Sequence, residues 1–158
     1  MNMRKPYFPK QDGHPEPLRA VCARRVRFEE VDPLGIVWHG RYPSFFEDAR
    51  MALGDKYGIG YMAFYEHGVV TPIKMMHVDY HQPLRFDEEF TVEGIQHFSE
   101  SARINTEYVV RNVAGAIATT GYTVQMLLDL KMNVLIALPP FFEAFCDRWK
   151  RDKPCACT

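Results

Sequence analysis

The sequence has few cysteines, no excess of charge of either sign and no long apolar run. Its four cysteines lack the paired spacing of a zinc site and are too few for a disulfide scaffold, so we expect reduced thiols. The net charge of -1 and an isoelectric point near 6.6 give no electrostatic reason to expect a nucleic-acid partner. Apolar runs stop well short of the roughly 20 residues of a membrane span, and no signal region follows the first residues. We therefore expect a cytoplasmic protein without a membrane span.

The composition is typical of one globular domain. The chain has 158 residues, of which 47% are hydrophobic and 25% charged, enough to bury a sizeable core. We predict a proline-rich leader at 1–18, one domain at 19–150 and a flexible tail at 151–158. The tail carries Cys155 and Cys157, whose spacing could hold a soft metal, although terminal segments are usually disordered.

One strongly amphipathic helix is predicted from about Arg41 to Tyr57. Its aromatic and aliphatic residues recur at helical spacing on one face: Tyr42, Phe45, Phe46, Ala49 and Leu53. Pro43 is tolerated only in the first turn, where its missing N–H would have no partner, and Gly58 supplies the stop.

Strand patterns account for most of the remaining chain. Extended segments are predicted at 20–29, 69–81, 88–98, 101–111 and 116–129, and 133–138 is a further candidate. In the segment 101–111, alternation predicts one buried face and one solvated face, the latter with Glu107. Pro139 and Pro140 open a terminal aromatic helix. This order predicts an α+β fold in which an antiparallel sheet covers the single long helix, because nothing else could cover its apolar face.

Residues 32–42 place a carboxylate, a glycine turn and a histidine just before that helix. A helix start offers unpaired backbone N–H groups and a partial positive charge, which stabilise a developing oxyanion. Asp32 would lie within reach of whatever binds there and is therefore a candidate catalytic carboxylate. The alternative for Asp32 is that it only caps a turn, since Asp-Pro commonly begins one.

Two motifs resemble the hotdog-fold acyl-CoA thioesterases, specifically the 4-hydroxybenzoyl-CoA thioesterase-like group that includes the Tol-Pal-associated enzymes. The first motif consists of Asp32, Gly35, Ile36, Val37, Trp38, His39 and Tyr42, and it continues into residues 46–50. The second motif is a run of valine, tyrosine, proline and aspartate within residues 77–88. The resemblance covers about residues 20–138. It implies a hotdog fold, an antiparallel sheet wrapped around one long central helix. The leader, the C-terminal helix, Trp38 and Pro43 depart from the common pattern.

The resemblance also implies the chemistry. It implies a hydrolase that cleaves acyl-CoA thioesters to free acid and CoA, with Asp32 as nucleophile or general base. The backbone N–H of His39 would polarise the thioester carbonyl; its imidazole could steer water or protonate the leaving thiolate, or have no chemical role. The substrate would lie against Gly35, Val37, Trp38 and Tyr42. No cofactor or catalytic metal is expected, since the CoA moiety is part of the substrate.

Several alternatives stay open. The family implies a homodimer or homotetramer with the active site between subunits, and a non-catalytic acyl-CoA sensor or scaffold would use the same cleft. Neither the acyl group nor the choice between CoA and acyl-carrier protein follows from the sequence. Weaker candidates are Glu47 as the carboxylate and the triplet His77, Asp79 and His81 as metal ligands, a pattern equally typical of a solvated sheet face. Arginines and lysines that could meet the CoA phosphates are Arg24, Arg25, Arg27, Lys74, Arg85, Arg103 and Arg111.

Overall fold

A five-stranded antiparallel sheet covers one long helix in the computed structural model, which describes residues 4–151. The strands are β1 (Leu18–Arg25), β2 (Val69–Val70), β3 (Ile73–Tyr80), β4 (Glu89–His97), β5 (Arg103–Asn112), β6 (Ile117–Met126) and β7 (Leu128–Asp129). The order in the large sheet is β1-β4-β5-β6-β3, so β1 and β3 are its edges, and β2 pairs with β7 in a separate ribbon. The predicted α+β class with an antiparallel sheet and a central helix is confirmed.

The central helix α1 (Tyr42–Tyr57) begins one residue from the predicted start and ends at the predicted one. A short 3-10 turn, His39–Arg41, leads into it, and Pro43 lies in its first turn. At the other end, Gly58 adopts a left-handed conformation with φ of 71°, and its N–H donates to the carbonyl of Gly54 at 2.8 Å. Pro43 and Gly58, which the sequence predicted as the start and stop signals, therefore mark the two ends of α1.

Helix α1 packs on the sheet through aromatic rings. Phe46 is fully buried and stacks on Tyr108 of β5, with ring centroids 4.3 Å apart and planes 6° from parallel. The hydroxyl of Tyr108 in turn accepts a hydrogen bond from the Arg50 guanidinium at 2.9 Å. Beneath Phe46 lies Gly121 of β6, where a Cβ atom would come within 2.8 Å of the Phe46 ring and 2.4 Å of the His77 carbonyl oxygen. The helix and the sheet are thus as close as a glycine allows.

A second core forms where α2 (Tyr61–Glu66) and α3 (Pro140–Arg151) cover the far end of α1. The predicted terminal helix is present, and its Phe142, Phe145 and Trp149 are buried in this cluster. The indole N–H of Trp149 donates to the carbonyl of Glu16 at 2.8 Å. Helix α3 therefore also holds the residues that precede β1.

The outer face of the sheet differs from the prediction. Glu107, predicted on the solvated face of β5, is 1% exposed. The cause is the segment 4–17, which has no helix or strand and lies across this face: Arg4 forms an ion pair with Glu107, and Phe8 packs against His97. The Glu107 carboxylate also lies 2.8 Å from Nε2 of His97. Alternation along β5 identified the two faces but could not show that other residues of the chain cover the polar one.

The prediction of a further strand at 133–138 is wrong. Only an isolated bridge between Val134 and Leu128 forms there, and Ile136 is 96% exposed. The Asp129 carboxylate accepts hydrogen bonds from the N–H groups of Lys131 and Asn133, so the chain turns immediately after β7 and then leads to α3. Strand β1 is also displaced from the predicted 20–29, because the chain leaves the sheet after Arg25 and forms a 3-10 turn.

Both cysteines of the described residues have free thiols. Burial raises the pKa of Cys22, and it raises the pKa of Cys146 to about 12, so neither favours the thiolate at neutral pH. Cys155, Cys157 and most of the predicted tail lie outside the described residues, and the division into leader, domain and tail stays a prediction. Within residues 4–151, no helix has the length and apolar character that crossing a membrane requires.

We expect Gly121→Ala to destabilise the fold. The added methyl group must displace the Phe46 ring or the backbone at His77, and overpacking of this kind costs about 1 to 3 kcal/mol. Urea denaturation measures the loss. Gly60→Ala is the matched control, because a Cβ there meets nothing closer than 3.6 Å. Equal stability of the two variants would contradict the close approach of helix and sheet.

Candidate active site

The loop before α1 is a tight turn built by Asp32. The N–H of Leu34 donates to the Asp32 carboxylate at 2.8 Å, and the N–H of Gly35 donates to the Asp32 carbonyl at 2.9 Å. Gly35 has φ of +74°, a conformation that a Cβ disfavours. The turn-capping alternative for Asp32 therefore holds in this structure. It does not exclude a chemical role, because an Asx turn occupies only one carboxylate oxygen.

The loop is held on both sides by backbone hydrogen bonds. The N–H of Trp38 donates to the carbonyl of Glu30 at 2.9 Å, and the N–H of Val37 donates to that of Leu84 at 2.8 Å. The N–H of Phe86 donates to the carbonyl of Gly35 at 3.1 Å. The residues after Asp32 are thus fixed between the first 3-10 turn and the connection from β3 to β4.

Two backbone donors remain unused at the helix start. Across the described part of the chain, the N–H groups of His39 and Gly40 donate no hydrogen bond, whereas the N–H of Arg41 donates to the carbonyl of Trp38 at 2.9 Å. The first N–H groups of a helical segment point out of its N-terminal end, where the helix dipole is positive. This position is suited to an oxygen that gains negative charge.

Four of the six predicted site residues share one cleft of about 280 Å³: Asp32, Val37, His39 and Tyr42. The other two, Gly35 and Trp38, do not line it. The Trp38 ring is half exposed and lies over the backbone of Gly40, where a Cβ atom would come within 2.2 Å of the indole. The same ring packs beside the His39 imidazole, with centroids 5.0 Å apart. Trp38 thus shields the helix start and faces away from the cleft.

The sequence did not assign the opposite wall of the cleft, which comes from the end of β3 and the turn after it: Tyr80, His81, Gln82 and Pro83. The hydroxyl of Tyr80 donates to the carbonyl of His39 at 2.7 Å, and Nε2 of His81 lies 2.9 Å from the Thr120 hydroxyl. These residues belong to the second motif of the resemblance, and that motif was the signal in the sequence that could have assigned them to the site. Spacing along the chain could not place them opposite residue 39.

Desolvation raises the pKa of both tyrosines in the cleft. Tyr42 is 2% exposed, and desolvation is the largest cause of its shift; it also raises the pKa of Tyr80. Both phenols therefore stay neutral near pH 7 and can donate hydrogen bonds. Asp32 has no cationic partner anywhere in residues 4–151.

The weaker candidates lie elsewhere. Glu47 is exposed on α1 and does not line the cleft. His77 pairs with Asp79 at 2.9 Å, and hydrogen bonds from Tyr7 and then His77 lower the pKa of that carboxyl. No group of three or more potential metal ligands occurs within the part of the chain that the structure describes.

The basic candidates divide into paired and unpaired side chains. Arg24 pairs with Glu30 and Asp48, and Arg25 pairs with Asp87 and Glu89. The Arg85 guanidinium forms no ion pair within residues 4–151, whereas the Arg85 N–H donates to the Glu88 carboxylate at 2.9 Å. The backbone of Arg85 pairs with Ile36 at the rim of the cleft. Of the predicted phosphate contacts, Arg85 is the one that the fold brings to the candidate site.

Comparisons with known proteins agree on one family. The sequence profile of the thioesterase-like superfamily matches residues 26–146. YneP of Bacillus subtilis (strain 168), provisionally named an acyl-CoA thioesterase, is 27% identical over 104 residues, 66% of this chain and 75% of that protein. YbgC of Escherichia coli O157:H7, an acyl-CoA thioester hydrolase, is 29% identical over 69 residues, 44% of this chain and 52% of its own.

The same architecture occurs in solved structures. The DHNA-CoA thioesterase from Staphylococcus aureus superposes with a TM-score of 0.73 at 24% identity, over 82% of this chain and 89% of that one. At this identity the similarity shows the fold alone. The predicted hotdog arrangement, with its sheet around a central helix, is thereby confirmed.

We expect Gly35→Ala to strain the loop. A Cβ atom at φ of +74° meets no neighbouring atom, so the cost is purely conformational, about 1 to 2 kcal/mol of unfolding free energy. Chemical denaturation measures it, with Gly35→Asn as the matched variant, because asparagine tolerates the left-handed region better. Two variants of equal stability, both like the wild type, would mean that residue 35 is not held in that conformation.

Proposed function

Because the chain belongs to the thioesterase-like superfamily, we propose that it is a hydrolase that cleaves acyl-CoA thioesters to a free acid and CoA. The names of YneP and YbgC support this reaction class. Free thiols at Cys22 and Cys146 agree with a reducing compartment, and we place the enzyme in the cytoplasm. The Tol-Pal association implied by the sequence resemblance stays a prediction.

One observation carries the proposal: Asp32 and His39, the residue at the helix start whose N–H is unused, line the same cleft. A thioester carbonyl placed between them would have a carboxylate near its carbon and the His39 N–H near its oxygen. Such donors act on charge that develops in the transition state, and they need no reorganisation during the reaction. The N–H of His39 is therefore the proposed donor of the oxyanion hole.

Asp32 acts in one of two ways. As a nucleophile, its carboxylate attacks the thioester carbon, the C–S bond breaks, and water then hydrolyses the resulting anhydride. As a general base, it takes a proton from a water molecule that attacks the same carbon. In both routes the CoA thiolate leaves and takes up a proton, a modest requirement because a thiol has a pKa near 8.5. The His39 imidazole is a candidate donor of that proton.

The substrate is held by apolar and basic groups. Val37 and Tyr42 line the cleft and would contact the acyl group, while Arg85 at the rim would meet a CoA phosphate. Gly35 and Trp38 support the loop and the helix start. We propose that no cofactor takes part, since thioester hydrolysis transfers no electrons and its leaving group is already stable.

A second copy of the chain would complete the cleft. Strand β3 is an edge of the sheet, and its large side chains are exposed on both faces, Met75 by 50% and Tyr80 by 53%. An unpaired edge is a template for pairing with another strand, and two-fold pairing is the commonest closed arrangement. Since Tyr80 also lines the cleft, we propose a homodimer or homotetramer with the active site at the β3 interface.

Replacing Asp32 tests the mechanism. We expect Asp32→Asn to lower kcat at least about a hundredfold, because the amide can act neither as nucleophile nor as base. Release of free thiol from a panel of aliphatic and aromatic acyl-CoAs measures it and also identifies the acyl class. Acyl-carrier protein thioesters in the same panel distinguish the two carriers.

Glu47→Gln is the matched control, since Glu47 is exposed on α1 outside the cleft. We expect near wild-type turnover for it, with both variants folded by circular dichroism. Turnover that is indifferent to Asp32→Asn would contradict the proposed mechanism. Tight acyl-CoA binding without any turnover by the wild type would favour the non-catalytic sensor.

We expect Met75→Asp to weaken self-association at least about tenfold, because pairing at β3 would bury the new charge beside its symmetry mate. Sedimentation velocity measures the oligomer, and thiol release under the same conditions should fall with it. Met62→Asp is the control: Met62 is 63% exposed but lies on α2. Unchanged association in Met75→Asp would place the interface on another surface.

A further inference from the structure

A small cavity lies under the second half of α1, apart from the cleft. It has a volume of about 30 Å³ and is enclosed by α1, α2 and the face of the sheet that α1 covers. None of its lining residues lines the cleft. Along the helix axis, its residue Arg50 lies about 12 Å from Tyr42 of the cleft. Since one water molecule needs roughly 10 to 15 Å³, the cavity has room for about two waters or one small ion.

The lining of this cavity carries a positive charge and no negative one. Of the residues 4–151 that line it, Arg50 is the only cation, and none is an aspartate or a glutamate. The Arg50 guanidinium donates from Nε to the Tyr61 hydroxyl at 2.8 Å and from Nη1 to the Tyr108 hydroxyl at 2.9 Å. A guanidinium has five N–H groups. Three of them therefore donate to no acceptor in the part of the chain that the structure describes.

Gln96 of β4 lines the same cavity with an unpaired amide. The residue is 6% exposed, and its side chain forms no hydrogen bond with any residue in 4–151. Gln125 of β6, a second buried amide in the lining, is paired, because its N–H₂ group donates to the Thr71 carbonyl at 2.6 Å. Buried polar groups rarely lack a partner in native proteins. The Gln96 amide therefore indicates a bound species that accepts its hydrogen bonds.

We propose that this cavity binds one small monovalent anion, of the size of chloride, between the Arg50 guanidinium and the Gln96 amide. Both groups offer N–H donors, and the anion neutralises a cation that tyrosine hydroxyls can solvate but cannot neutralise. Water could accept the same hydrogen bonds but would leave the charge uncompensated. The volume excludes an organic anion such as gluconate. The bound anion joins α1 to β4 and takes no part in thioester hydrolysis.

Thermal unfolding in two salts tests the site. A ligand that binds only the folded state raises Tm, so we compare Tm in sodium chloride with Tm in sodium gluconate at equal ionic strength. We expect this difference to be at least about 2 °C larger in the wild type than in Arg50→Gln, which removes the positive charge. Lys56→Gln is the matched control, because Lys56 is exposed on α1 and does not line the cavity. We expect the wild-type difference for it.

Gln96→Met separates anion binding from packing. Methionine has a similar length and an adaptable shape, so the variant loses the amide without leaving a large void. In gluconate, we expect it to be at least as stable as the wild type, because a buried amide without a partner is gone. In chloride, we expect the wild type to be the more stable of the two. A purely structural role of Gln96 would instead shift Tm equally in both salts.

Bromide identifies the occupant directly. In crystals of the wild type grown with bromide in place of chloride, we expect an anomalous peak between Arg50 and Gln96. That peak, together with a chloride effect on Tm that both variants lose, supports the inference. Equal salt differences in the wild type and in both variants overturn it and assign the effect to the general surface. Water in the cavity without a bromide peak overturns it too. Neither readout involves a substrate, so the proposed function stands or falls separately.

Discussion

The close contact between α1 and the sheet determines where every other part of the site lies. A glycine occurs in the sheet at each place where the helix comes nearest: a Cβ on Gly94 would lie 2.9 Å from Leu53, and one on Gly121 would lie 2.8 Å from Phe46. Two such contacts on different strands leave the helix little freedom to slide or rotate. Since the helix is fixed, its first turn and the Asp32 loop before it are fixed as well.

Because the helix start is rigid, the short loop before it can be held in place by backbone hydrogen bonds alone. The loop is bound to the rest of the fold by backbone hydrogen bonds from Val37, Trp38 and Phe86, so little of its position depends on side-chain rotamers. The unused N–H donors of His39 and Gly40 are then a consequence of geometry, because a helix cannot satisfy its own first donors. The only carboxylate in the cleft is Asp32, and no cation within residues 4–151 neutralises it.

Local patterns predicted much of this fold. Helical spacing and the residues Pro43 and Gly58 located α1 to within a residue, and alternation located the long strands β4, β5 and β6 with small shifts at their ends. The errors arose where distant parts of the chain meet. Glu107 alternates like a solvated residue but is covered by residues from the N-terminal segment, about a hundred positions away. At 133–138, the turn that Asp129 caps outweighed strand propensity.

The residues of the candidate site also divide into those that a local pattern predicted and those that only the fold brings together. Asp32, Val37, His39 and Tyr42 lie within eleven consecutive residues, so a motif could collect them, whereas Tyr80 and His81 reach the cleft only because β3 pairs with β6 at the edge of the sheet. A hydrogen bond from the Tyr80 hydroxyl to the His39 carbonyl then joins the two parts of the cleft. Sequence reasoning can therefore group the residues of one wall, and only the fold can show which residues lie opposite them.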